Sequence, residues 1–186
     1  MRTFLAIDLA PDLKITMEGL IRNIKKGAKG IKWVNSSGMH LTLKFLGDIT
    51  PEKAGDVIGL LKTIAEKHSA FPLQLKGTGT FPPGRKKSTR VIWAGIVETP
   101  ELISLNEGLE EGFEKIGFSR EDRPFHPHLT LARVKSPDGI EPVLNELEKY
   151  RETVFGGMMV DRMRFFESIL KPDGAHYSVL AEVEFK

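Results

Sequence analysis

Cysteine is absent from the 186 residues, so disulfides and thiolate metal ligands are excluded. No window approaches the apolar length that a membrane span requires. The stretch Met1 to Leu9 carries one Arg, one Asp and a short apolar run. It lacks the apolar core and small-residue cleavage site of a signal peptide, and a cytoplasmic location is expected. A charge excess is missing as well. The formal net charge is only +2, so any nucleic-acid contact has to come from a local patch. Amides are scarce, with Gln74 alone and four Asn beside 28% charged residues, a composition that fits proteins working at high temperature.

What is present is enough for a core: 40% of the residues are hydrophobic, which suits one domain of residues 1–186 made of two intertwined lobes. Arg2 to Leu9 reads as a strand. Residues Pro11 to Lys26 place Leu13, Met17, Leu20, Ile21 and Ile24 at helical spacing. Met39 to Gly47 alternates and reads as a strand. Thr50-Pro51-Glu52 is a helix start, with an N-cap hydroxyl, a first-turn proline and an acid at the positive end of the dipole. Phe71 to Leu75 and Val91 to Val97 read as strands, with a Gly-, Pro- and Arg/Lys-rich loop from Gly77 to Arg90 between them.

The order then recurs. Thr99-Pro100-Glu101 starts a second such helix. Phe125 to Val134 is a strand candidate, Glu141 to Tyr150 a short helix, and Val154–Val160, Met163–Glu167 and His176–Phe185 are closing strands. Pro11 and Pro100 lie 89 residues apart and His40 and His128 lie 88 apart. Near-equal offsets at different elements point to a duplicated, pseudo-two-fold architecture.

The recurring point is the tetrapeptide His-Leu-Thr-Leu, at residues 40–43 and 128–131. In a strand, residues i and i+2 share a face. His40 with Thr42, and His128 with Thr130, therefore face a cleft while the leucines enter the core. Two imidazoles supply a base and an acid near neutrality. Two hydroxyls donate to the non-bridging oxygens of a phosphodiester, so developing charge meets fixed donors without a metal.

These blocks identify a family resemblance. The chain resembles the two-histidine (2H) phosphoesterase superfamily, defined by two His-x-Thr-x motifs. Within it, the chain is similar to RNA 2′,3′-cyclic phosphodiesterases, formerly called 2′-5′ RNA ligases. The likeness runs through Arg2–Ile7, Trp33-Val34 with His40–Gly47, Arg90–Gly95, Phe125–Arg133, and Glu167-Ser168 with Leu170, Gly174 and Tyr177. The resemblance implies a bilobal α+β fold with antiparallel sheets around a central cleft and helices outside. It also implies metal-independent hydrolysis of RNA 2′,3′-cyclic phosphate ends to 2′-phosphates by a monomer without cofactor, with His40 as proton donor and His128 as proton acceptor. The reverse reaction, 2′-5′ RNA ligation, is the alternative within the class, as is another cyclic nucleotide as substrate. A non-catalytic RNA-end-binding protein is the alternative outside it, although pure binding does not require two titrating groups.

Other residues carry secondary expectations. Arg133 lies five positions after His128, so strict alternation points it away from the cleft. The resemblance implies that it binds phosphate, which requires a bulge or twist near Ala132; a salt-bridged arginine is the alternative. Lys44 falls on the Thr42 face and reads as a solvated strand-end lysine. Arg85, Lys86, Lys87 and Arg90 form a basic loop, either a track for an RNA backbone or an ordinary solvated loop. Phe81 and Phe125, and also Trp33, are candidates to stack on a base. His126 and His128 form a His-x-His pair, but no carboxylate or third His stands at ligand spacing, so no metal site is expected.

Overall fold

The two Thr-Pro-Glu helix starts fold as their chemistry dictates. Thr50 Oγ1 accepts from the Lys53 amide and Thr99 Oγ1 from the Leu102 amide, each at 3.2 Å. Each cap satisfies one of the free amides at a helix start. The computed structural model of the chain describes residues 1–84, 86–172 and 174–186.

In chain order the elements are β1 (Arg2–Asp8), α1 (Pro11–Ile24), β2 (Ile31–Trp33), β3 (His40–Asp48), α2 (Pro51–Ala65), β4 (Phe71–Phe81), β5 (Val91–Ile96), α3 (Pro100–Lys115), β6 (His128–Val134), α4 (Glu141–Glu148), β7 (Val154–Val160), β8 (Arg162–Lys171) and β9 (Gly174–Glu184). They form two sheets, one in the order β3-β1-β8-β9 and the other β2-β6-β5-β4-β7. Every pairing is antiparallel. The fold is α+β.

The duplication is visible in the pairing. β1-α1-β3-α2 and β5-α3-β6-α4 follow the same order, and in each the first strand pairs with the motif strand. Leu41 and Leu43 of one motif and Leu129 and Leu131 of the other are buried in a common core with Leu5, Ile7, Met17, Val57, Phe113 and Phe165. Burying each such side chain contributes roughly 1.5–3 kcal/mol.

Several boundaries differ from the sequence expectation. α1 stops at Ile24 and α4 at Glu148. The strand expected over Phe71 to Leu75 runs on to Phe81, because a register shift between Leu75 and Thr78, where Gly77 sits at φ +77°, interrupts the alternation without ending the ladder. Phe125, His126 and Pro127 lie outside β6; the prolines at 124 and 127 have no amide to give a ladder. β2 is too short at three residues to show a period. β8 and β9 each run further toward one another and make a hairpin paired from Lys171↔Gly174 back to Arg162↔Glu184.

Candidate active site

Both motif strands carry the same irregularity. In β3, Thr42 pairs with Ala6 and Lys44 with Leu5, which leaves Leu43 as an extra residue. In β6, Thr130 pairs with Trp93 and Ala132 with Ile92, which leaves Leu131 as the extra one. A bulge of this kind moves every later side chain to the other face. Arg133 therefore returns to the side of His128 and Thr130, and Phe45 to the side of His40 and Thr42. Both are exposed, Phe45 by 59%.

The result is one cleft of about 1580 Å³ between the sheets, lined by His40, Thr42, His128, Thr130 and Arg133, together with Phe81, Arg90 and Phe125. Phe125 is half-buried and packs on the core. Phe81 stands edge-on to His128 with ring centroids 5.0 Å apart. Trp33 is half-buried against the core and lies outside this lining. In the basic loop, Lys87 is exposed, Arg85 lies outside the described residues, and only the backbone of Lys86 is described.

Lys44 departs from its expectation. The Leu43 bulge turns it away from the Thr42 face, and its side chain is 2% exposed. Its Nζ is 2.7 Å from Glu110 Oε1 and 3.0 Å from the carbonyl oxygen of Ser119. A buried ammonium needs such partners.

The two imidazoles sit in different surroundings. His128 Nδ1 lies 2.7 Å from the carbonyl oxygen of His126. A carbonyl only accepts, so Nδ1 carries the hydrogen and neutral His128 keeps its Nε2 lone pair free for a proton. Burial holds the pKa of His128 below its ordinary value, opposed by that hydrogen bond and reinforced by the charges of His126 and Arg133. His40 packs among rings: Phe4 at 4.9 Å, Tyr177 edge-on at 5.3 Å and Phe166 at 5.9 Å. Burial pushes its pKa down to about 4, against the pull of Asp8 and aided by the charge of Lys14. Asp8 faces His40 across β1 and β3 and is held by Lys14 at 2.8 Å and Arg164 at 2.6 Å.

This aromatic surround was not anticipated from sequence. Phe4 and Ala6 alternate with Leu5 and Ile7, a signal that β1 is buried on both faces. The arrival of Phe166 and Tyr177 from the other end of the chain has no local signal.

The family model of the 2′-5′ RNA ligase superfamily matches residues 11–169. The chain belongs to this superfamily. An RNA 2′,3′-cyclic phosphodiesterase of Thermotoga maritima is 36% identical to it, covering 100% of this chain and 96% of that protein. One of Methanocaldococcus jannaschii is 34% identical, covering 98% and 99%. Among solved structures, TT0787 of Thermus thermophilus superimposes with a TM-score of 0.84 at 30% identity, covering 100% of this chain and 98% of that one. Escherichia coli LigT complexed with 3′-AMP superimposes with a TM-score of 0.81 at 25% identity, covering 99% and 97%. No described helix of this superfamily member is long and apolar enough to cross a membrane.

Thr42→Ala and Thr130→Ala test the hydroxyls. If each hydroxyl donates to a charged phosphate oxygen, as the resemblance implies, each variant loses a hydrogen bond worth about 1.5–3 kcal/mol and slows turnover on the order of 10- to 100-fold. Steady-state rates on a cyclic mononucleotide measure this. Rates equal to wild type would mean that the hydroxyls do not touch phosphate.

Proposed function

We propose that this chain is a metal-independent RNA 2′,3′-cyclic phosphodiesterase that opens cyclic ends to 2′-phosphates. The reading rests on one observation: two imidazoles and two threonine hydroxyls, carried on matching faces of β3 and β6, line a single cleft. In it, His128 takes a proton from water as the water oxygen attacks phosphorus. His40 gives a proton to the leaving 3′-oxygen as the P–O3′ bond breaks. Thr42, Thr130 and the Arg133 guanidinium hold the non-bridging oxygens. Arg90, Phe81 and Phe125, with the loop residues Arg85, Lys86 and Lys87, serve the rest of the RNA. The enzyme works as a monomer in the cytoplasm.

Incubation with RNA ending in a 2′,3′-cyclic phosphate, in the presence of EDTA, tests the proposal. A 2′-phosphate product supports it. No product in EDTA, with activity restored by zinc or manganese, would overturn the metal-free mechanism. A 2′,5′-joined product from an added 5′-hydroxyl end would favour the ligase direction, which the superfamily's name keeps in view.

The depressed pKa values fix the expected pH dependence. The base acts above its pKa, which burial of His128 holds under 6.5. The acid acts below its pKa, which is about 4 for His40 in the free protein. Both limbs of the kcat/KM bell are therefore expected below pH 6.5, since that ratio reports the free enzyme. A bound phosphodiester anion favours both imidazolium forms, so the kcat bell is expected at higher pH. Parallel profiles of kcat/KM and kcat check this; a kcat/KM optimum at pH 7 or above contradicts it.

A further inference from the structure

The first motif strand is tied to the segment that carries the second motif's backbone acceptor, and the tie is an ion pair between a buried lysine and a half-buried glutamate. Lys44 follows the Leu43 bulge, so its side chain turns from the side of His40 and Thr42 toward α3, where it and Glu110 form part of the cleft wall. Its Nζ meets Glu110 Oε1 of α3 at 2.7 Å and the Ser119 carbonyl at 3.0 Å. The other carboxylate oxygen, Oε2, accepts from the Glu121 amide at 3.0 Å. One lysine and one glutamate thus clamp residues 119–121 from both sides.

What they clamp matters because of where it leads. Residues 118–127 have no helix or strand of their own, so nothing in a ladder fixes their path. They run along the cleft through Arg123, Pro124 and Phe125 to His126. The His126 carbonyl is the acceptor that selects the Nδ1–H form of His128. Beyond it, the Pro127 carbonyl accepts from the Ile96 amide at 3.3 Å, which fixes the far end of the segment. The near end is fixed by the Lys44–Glu110 pair.

We infer that Lys44 and Glu110 are positioning residues, a strut across the two lobes that holds the 119–126 segment so that His128 keeps its catalytic tautomer and direction. Such a pair is not needed for stability as such, since apolar residues of similar volume often replace one at no cost. Its two-sided geometry gives what apolar packing does not: a fixed distance between β3 and a segment without other ladder bonds. Displacement of a reacting group by about 1 Å costs as much as 10²-fold in rate. This inference rests on the two-histidine reading of the cleft.

The test uses Lys44→Met/Glu110→Leu, which removes both charges and leaves no orphaned ion, and Glu110→Gln, which keeps the volume and weakens the clamp. Three quantities are read for each: thermal stability, kcat and KM on a 2′,3′-cyclic mononucleotide, and the His128 tautomer from long-range ¹H–¹⁵N spectra. Expected are a fold stable at the assay temperature, a kcat at least about tenfold lower with KM little changed, and a shift of neutral His128 away from the Nδ1–H form. If the double variant fails to fold, Glu110→Gln carries the same comparison. Wild-type kcat with a wild-type tautomer overturns the inference, and so does a rate loss with the tautomer unchanged. A shifted tautomer with unchanged kcat upholds the strut and instead removes His128 from the chemistry.

Discussion

Replacing either histidine by alanine is expected to remove most turnover of a 2′,3′-cyclic phosphate, with His40→Ala and His128→Ala each costing ~10²-fold or more. The reason lies in the proposed division of labour. Hydrolysis needs a proton taken from water and another given to the 3′-oxygen, and the two rings occupy separate strands and separate environments. His128 is oriented by the His126 carbonyl at 2.7 Å. His40 is enclosed by Phe4, Phe166 and Tyr177. His126 approaches His128 only to 6.4 Å between ring centroids, and it stands against Phe81 and Trp93. Both variants should keep the fold, because the core beneath the motifs is made by the leucines. Initial rates with circular dichroism melts measure both claims. A near-wild-type rate from either variant would end the two-histidine mechanism.

The motifs and their faces were legible in the sequence because they depend on period two within a single strand. The helix starts were legible because Thr-Pro-Glu is local chemistry, and Thr50 and Thr99 cap as expected. Alternation showed neither bulge; the one at Leu131 was reached only through the family resemblance, which required a bulge or twist near Ala132. Leu43 and Leu131 are extra residues only relative to β1 and β5, and register is a property of the partner strand. Alternation therefore misplaced two residues by the same one-residue slip. It sent Lys44 toward the catalytic face and Arg133 away from it, and the structure reverses both. The family resemblance had already pointed to Arg133, while nothing in a single strand pointed to Glu110 as the partner of Lys44. The same limit applies to His40. Its motif named the residue, but its depressed pKa comes from burial among rings that include Phe166 and Tyr177, far along the chain.

Leaving-group chemistry is expected to separate the two histidines more sharply than any single rate. A nitrophenyl phosphodiester expels a stable anion and needs little help from an acid, whereas the attacking water still needs a base. On that substrate His40→Ala should recover much of its activity and His128→Ala should not. The geometry favours this assignment at His128. Its Nδ1 hydrogen is committed to the His126 carbonyl, so the neutral ring offers a lone pair, which is what a base requires. At His40 burial works against the protonated form and brings the pKa to about 4. An acid in that setting is charged only when an anion sits beside it, and the phosphodiester is that anion. Under the proposed assignment the proton binds together with the substrate and goes to the leaving oxygen. Its loss should matter least where the leaving group needs no proton. The ratio of nitrophenyl to cyclic-nucleotide rates, taken for wild type and both variants at one pH, decides the matter. Rescue of His128→Ala in place of His40→Ala would reverse the roles, and rescue of both or neither would show that the steps are not divided between the rings.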